Sequence, residues 1–154
     1  MNLGSSWRYL EGVSRSRLAH NKTRHHIYEY GTEIELLGCC GELVVRRFLG
    51  LGERLHTEFD GGCDLVWRGR KIDVKATRLT PRLNFRNLQW PLSKKVKADI
   101  VVMTAVNIED RFGIVVGWCW GSKVSQSAVN RERFVACYEM PITELEPPWK
   151  LMVI

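Results

Sequence analysis

The 154-residue chain is 45% hydrophobic and 26% charged, a length and balance that suit one compact domain with a sizeable core. No apolar run approaches a membrane span, and the opening MNLGSSWRYLEG lacks the charged-then-apolar layout of a signal peptide, so an intracellular location without membrane contact is expected. A net charge of +6 is compatible with a nucleic-acid partner and excludes none of the soluble enzyme classes. The cysteines (Cys39, Cys40, Cys63, Cys119, Cys137) are odd in number and form no CxxC pair, which predicts buried reduced thiols over zinc ligands or disulfides.

From the N-terminus, residues 5–19 read as a helix on the loose periodicity of Trp7, Leu10, Val13 and Leu18. A basic segment overlaps it and continues to residue 30, with Arg8, Arg15, Arg17, Lys22, Arg24, His20, His25 and His26 against the single acid Glu11. Thr32 and Glu35 have the form of a capping box, and the helix they start runs to the glycines at 50 and 52. Its apolar residues make two stripes, one through Leu36, Leu37, Cys40, Leu43 and Val44, the other through Ile34, Gly38, Gly41, Val45 and Phe48. A helix apolar on two sides belongs between layers, and Gly38 and Gly41 would let a sheet come close to its backbone.

Strands are predicted over 54–59, 64–67 and 71–76, the last two joined at Arg68-Gly69. Residues 80–97 carry Pro81 and Pro91 and read as a loop with a short helix. The β-branched run 98–106 has the pattern of a strand buried on both faces, and 112–120 is a further strand. Residues 122–133 are polar and read as partly helical, 134–140 as a last strand, and the Pro-rich tail as a surface segment. The whole is an α/β domain with a mixed sheet: a basic segment over 1–30, a core over about 32–120 and a C-terminal extension over 121–154.

The chemistry concentrates in GGCDLVWRGRKIDVKAT. A turn centred on Arg68-Gly69 sets residue 67 opposite 70, 66 opposite 71, 65 opposite 72 and 64 opposite 73. Asp64 and Asp73 are then cross-strand neighbours with β-carbons about 5 Å apart. Lys75 shares their face, and Leu65, Trp67, Ile72 and Val74 take the other. Two opposed carboxylates repel unless one is protonated or a cation lies between them. A hard divalent ion such as Mg²⁺ suits such oxygens, and the carbonyl of Val74 could supply a third. Lys75 could then orient water or stabilise charge on a phosphate, an arrangement suited to phosphodiester hydrolysis. The bland alternative is a turn aspartate followed by two solvent-facing positions.

Asp64 followed by Asp73-Val74-Lys75, behind a Glu-bearing helix and ahead of the strand ADIVVMTAV, resembles the PD-(D/E)XK nuclease superfamily over residues 32–118. That resemblance implies a restriction-endonuclease-like αβββαβ core and Mg²⁺- or Mn²⁺-dependent hydrolysis of DNA, endonucleolytic rather than exonucleolytic. It implies Asp64 and Asp73 as metal ligands and Lys75 as the residue that positions or activates water. Cys63 stands where the family's motif has proline. GCCGELVVRRFLG is similar to the family's first motif, which makes Glu42 the fourth member; Glu33 and Glu35 are rivals, and an i,i+4 pair with Arg46 is the structural alternative.

Softer candidates for nucleic-acid contact are Thr77, Arg78, Lys94, Lys95 and Arg24, with Gln89 as a supporting amide. Trp67, Trp118 and Trp120 read as core or rim packing rather than stacking platforms. The competing functions are a resolvase-like homodimer acting on branched DNA, and a nucleic-acid-binding module without catalysis. A phosphohydrolase of small molecules is disfavoured because no GxxxxGK[ST] loop is present.

Overall fold

The computed structural model describes residues 1–21, 31–56, 63–79, 87–132 and 135–154. Arg24, His25 and His26 lie outside these, as does the second half of the strand predicted over 54–59; its first residues, 54–56, are not a strand.

The protein is mixed α/β. A short 3-10 turn (Gly4–Ser6) leads into helix α1 (Trp7–Asn21), and helix α2 spans Gly31–Phe48. α2 begins a residue before Thr32, so the predicted capping box is not its start. Its end matches the sequence closely. Gly50 is left-handed (φ 68°), Leu51 N–H donates to the Arg46 carbonyl, and Gly50 N–H donates to Arg47, the Schellman arrangement that satisfies the last carbonyls.

The main sheet has the order β1-β2-β4-β5, formed by Leu65–Trp67, Arg70–Arg78, Ile100–Asn107 and Phe112–Trp120. β1 and β2 are antiparallel, β2 and β4 parallel, β4 and β5 antiparallel. The β1–β2 turn has Arg68 and Gly69 both left-handed (φ 49° and 76°), the backbone of a two-residue hairpin that follows the strands' own twist. Its register is the predicted one: Trp67 opposite Arg70, Val66 opposite Lys71, Leu65 opposite Ile72.

The region expected to hold a loop and short helix holds strand β3 (Leu88–Pro91), which belongs to a second sheet of order β3-β7-β6 with Ala128–Asn130 as β6 and Cys137–Met140 as β7. Pro91 is tolerated because it ends its strand. The polar stretch after β5 is a single helical turn, α3 (Gly121–Val124), before β6, and a last turn, α4 (Pro148–Leu151), packs on β5.

Strand alternation divides the core. Ile72, Val74, Ile100 and Val102 pack with Val45 of α2 and Leu49 just beyond its end, whereas Val101 and Met103 pack with Leu88, Trp90, Cys119 and Met140 of the second-sheet side. β4 is thus buried on both faces, as its β-branched run required. α1 lies against α2, where Leu10 and Val13 meet Cys40, Leu43 and Val44. Cys39, Cys40, Cys119 and Cys137 are buried free thiols, and burial pushes Cys39 and Cys40 up to about 12. No helix among the described residues is long and apolar enough to cross a membrane.

Gly41 sets how near α2 comes to the sheet. A Cβ there would lie 2.6 Å from Thr104 Oγ1 and 2.8 Å from Ala76 Cβ, while one on Gly38 would meet nothing within 4 Å. The two glycines should therefore respond oppositely to alanine. Gly41→Ala is expected to cost about 1–3 kcal/mol from overpacking, and Gly38→Ala to gain about 0.5–1 kcal/mol from helix propensity. Urea denaturation of both variants checks this; equal effects would mean that the helix does not seat through Gly41.

Candidate active site at the edge of the central hairpin

β1 pairs with β2 only as far as Ile72, so beyond that point β2 has no strand neighbour on that side among the described residues. The candidate residues collect at this edge. Asp73 and Lys75 alternate with Ile72 and Val74 and so face the second-sheet side, beside Val101 and Met103 in the neighbouring strand. Glu42 approaches from α2 on the other face, buried at 5% exposure. Asp64 lies between them, where β1 begins.

The opposition of Asp64 and Asp73 expected from the hairpin stops one residue short. The ladder ends at Leu65–Ile72, and Asp64 N–H donates to the Ile72 carbonyl (2.9 Å) instead of continuing the register. Its carboxylate then turns onto the bare edge, where Oδ2 accepts the Val74 N–H at 2.5 Å. A residue's N–H and C=O leave a strand on the same side, so the Val74 carbonyl points to the edge that Asp64 caps.

Three carboxylates nevertheless share one electrostatic neighbourhood. Burial raises the Asp64 carboxyl far above the usual carboxylate range, to about 8, and the negative charges of Glu42 and then Asp73 add to the rise; the Val74 N–H and Lys75 oppose it. Each of the other two acids has a cation. Lys75 Nζ donates to Asp73 Oδ1, and its ammonium also lies 4.2 Å from the centre of the Trp90 ring. Arg17 of α1 grips Glu42 with both arms, Nη1 to Oε1 at 2.5 Å and Nη2 to Oε2 at 2.7 Å. Removing one partner of so buried a pair strands a charge, an effect of about 3–5 kcal/mol.

Arg17, which the sequence placed only in a basic segment, is the partner of Glu42 at this site. The available signal was its position: Leu10, Ser14 and Arg17 share one helical face at i, i+4 and i+7, and Leu10 and Ser14 are buried. A charge continuing an apolar stripe needs a buried partner. The expected alternative for Glu42 does not occur, since Arg46 Nε bonds the Gly52 carbonyl. Glu35 stands 3.7 Å from Arg17 with its carboxyl raised by burial, and Glu33 bonds Arg78 at the far end of β2. Of the three helix glutamates, Glu42 is the one whose charge is felt by Asp64.

The softer candidates are scattered. Thr77 lines a cleft beside Lys75; Arg78 is half-exposed and held by Glu33 and Glu109. Lys94 and Lys95 lie exposed after β3, where the Lys94 carbonyl accepts Trp90 Nε1 at 2.7 Å. Trp67 and Trp118 are buried as expected, and Trp120 is a rim residue with the Arg70 guanidinium 5.1 Å from its ring centre.

As for a metal, Asp64, Asp73 and the Val74 carbonyl are hard oxygen donors at one strand edge. Among the described residues, no three His, Cys, Asp or Glu side chains form a ready ligand cage. A divalent ion would have to compete with Lys75 for Asp73. No family model matches the chain, and no curated protein or solved structure matches it either.

The Asp64 environment carries a pH signature. A carboxyl raised in the folded state means that folding takes up a proton. Its contribution to stability is therefore fullest below about pH 4 and is lost as pH rises toward 8. Asp64→Asn removes that loss, so without divalent cations the variant should gain on the wild type between pH 5 and 8, by at most about 1.4 kcal/mol per pH unit. Urea unfolding at three pH values in EDTA measures it. A pH-independent difference would show that Asp64 does not carry the raised pKa.

Proposed function

We propose that the protein is a Mg²⁺- or Mn²⁺-dependent nuclease of the PD-(D/E)XK type that hydrolyses phosphodiester bonds in DNA. The observation that carries this reading is the gathering of Glu42 from α2 with Asp64, Asp73 and Lys75 of the hairpin at one uncovered strand edge. The finer fold assignment, a restriction-endonuclease-like core, belongs to the same proposal. A helix, a hairpin and a further strand parallel to the D-x-K strand support it, although β3 stands where the expected crossover helix would be.

The roles follow from placement. Asp64, Asp73 and the Val74 carbonyl would hold the divalent ion, with Glu42 bordering them. The ion, when bound, supplies Lewis-acid charge to the phosphate and makes water easier to deprotonate. Asp73 would have to give up its contact with Lys75 to hold the cation, and the Lys75 ammonium, which also lies beside Trp90, would then be placed to orient water or neutralise charge on the phosphate. Arg17 holds Glu42 in place and offsets its buried charge.

A second reading, a DNA-binding module without catalysis, is favoured by one observation: Asp73 and Glu42 are already ion-paired within the protein. A resolvase-like homodimer is a subclass of the first reading, since paired cuts need two sites related by a two-fold axis.

Incubation with linear, nicked, single-stranded and four-way-junction DNA in Mg²⁺, Mn²⁺ or EDTA separates these. Metal-dependent cleavage is expected, with Asp73→Asn and Lys75→Ala slower by about 100-fold or more. Cleavage unchanged in those variants would overturn the assigned site, and binding without cleavage in every metal would leave the module.

A further inference from the structure

The end of the main sheet that holds the β1–β2 turn is strongly basic. Backbone bonds draw three segments together there: Asp99 N–H donates to the Lys71 carbonyl at 2.9 Å, and Gly121 N–H to the Asp99 carbonyl at 2.8 Å. Residues 67–72, 94–100 and 117–121 hold one acid, Asp99, against Arg68, Arg70, Lys71, Lys94, Lys95 and Lys97, all six exposed. Among the described residues none of the six forms an ion pair. Like charges so gathered repel, and a polyanion relieves the repulsion.

Two observations separate this rim from an ordinary solvated face. The Arg70 guanidinium lies 5.1 Å from the centre of the exposed Trp120 ring, and Trp120 stands edge-on to buried Trp118, with ring centres 5.4 Å apart. The arginine is thus held before anything binds, which lessens the freedom it loses on meeting a phosphate. The rim is also continuous with the candidate active site. Lys71, Asp73 and Lys75 alternate along β2 and share a face. The Lys94 carbonyl accepts Trp90 Nε1 at 2.7 Å, and the same Trp90 ring carries the Lys75 ammonium.

We propose that this rim binds the phosphate backbone of duplex DNA on one side of the cut, so that the substrate runs from the Lys75 edge along β2 to the β1–β2 turn. The proposal rests on the nuclease reading for its partner and adds the direction in which the DNA leaves the site. Lys71 and Lys75 are about 13 Å apart at the rise of a strand, a distance that a duplex covers in about four base pairs. Arg70 and Lys71 then meet backbone beyond the reacting phosphate and take no part in the chemistry.

The test measures the affinity of the full chain for duplex DNA in Ca²⁺ over a range of salt concentrations. Each phosphate contact contributes about 0.9 to the slope of log affinity against log salt, so Arg70→Gln and Lys71→Gln should each make it shallower by about 1. The weakening should be the same for duplexes of unrelated sequence. Arg111→Gln is the matched control: Arg111 lies at the opposite end of the sheet, between β4 and β5, and its guanidinium also sits 5.1 Å from a tryptophan ring, that of Trp7. Its slope should equal that of the wild type. Unchanged slopes in the two rim variants, or equal loss in all three, would overturn the proposal. Cleavage in Mg²⁺ with unchanged rim slopes refutes the rim alone, and shallower rim slopes without cleavage in Mg²⁺ or Mn²⁺ refute the nuclease alone. A wild-type chain that binds no duplex refutes both.

Discussion

Negative charge gathered where β1 begins is the constraint around which the rest of the structure is arranged. Glu42, Asp64 and Asp73 come from a helix, a strand entry and a strand interior, and all three are largely withdrawn from water. Carboxylates in that position must be paired, protonated or metal-bound. Each of the three meets the requirement differently: Glu42 has Arg17, Asp73 has Lys75, and Asp64 has a backbone N–H and a raised pKa that favours its protonated form.

Those solutions fasten the layers together. Arg17 ties α1 to α2 through a two-point contact and also donates to the His56 carbonyl at 2.8 Å, bringing in the chain beyond α2. Lys75, on the opposite face, rests against Trp90 and so links the main sheet to the second one. The approach of α2 through Gly41 controls how near Glu42, the next residue, comes to the sheet edge. Packing and site are therefore coupled: a change in the seating of the helix moves a carboxylate.

Much of this was legible locally. The hairpin register followed from a two-residue turn at Arg68-Gly69, and period-two alternation then placed Leu65, Trp67, Ile72 and Val74 in the core. The end of α2 was readable from Gly50, whose left-handed backbone suits glycine. What escaped depends on tertiary contacts or on short elements. The pairing of Arg17 with Glu42 spans 25 positions, and no local pattern names the partner. β3 and β6 are strands of four and three residues, too short to show a period, and Pro91 argued against one of them. The offset at Asp64 was hidden for a different reason: a register predicts where residues face, and the irregularity at a strand's first residue is decided by whether its side chain can bond a free N–H.

The central claim is that this edge is built for a divalent cation. Calorimetric titration of Mn²⁺ into the full chain tests it most directly, compared with a variant carrying both Asp64→Asn and Asp73→Asn. The account predicts one saturable binding event in the wild-type protein that is lost in the variant. Binding of equal strength in both proteins, or none in the wild type at millimolar Mn²⁺, would contradict it.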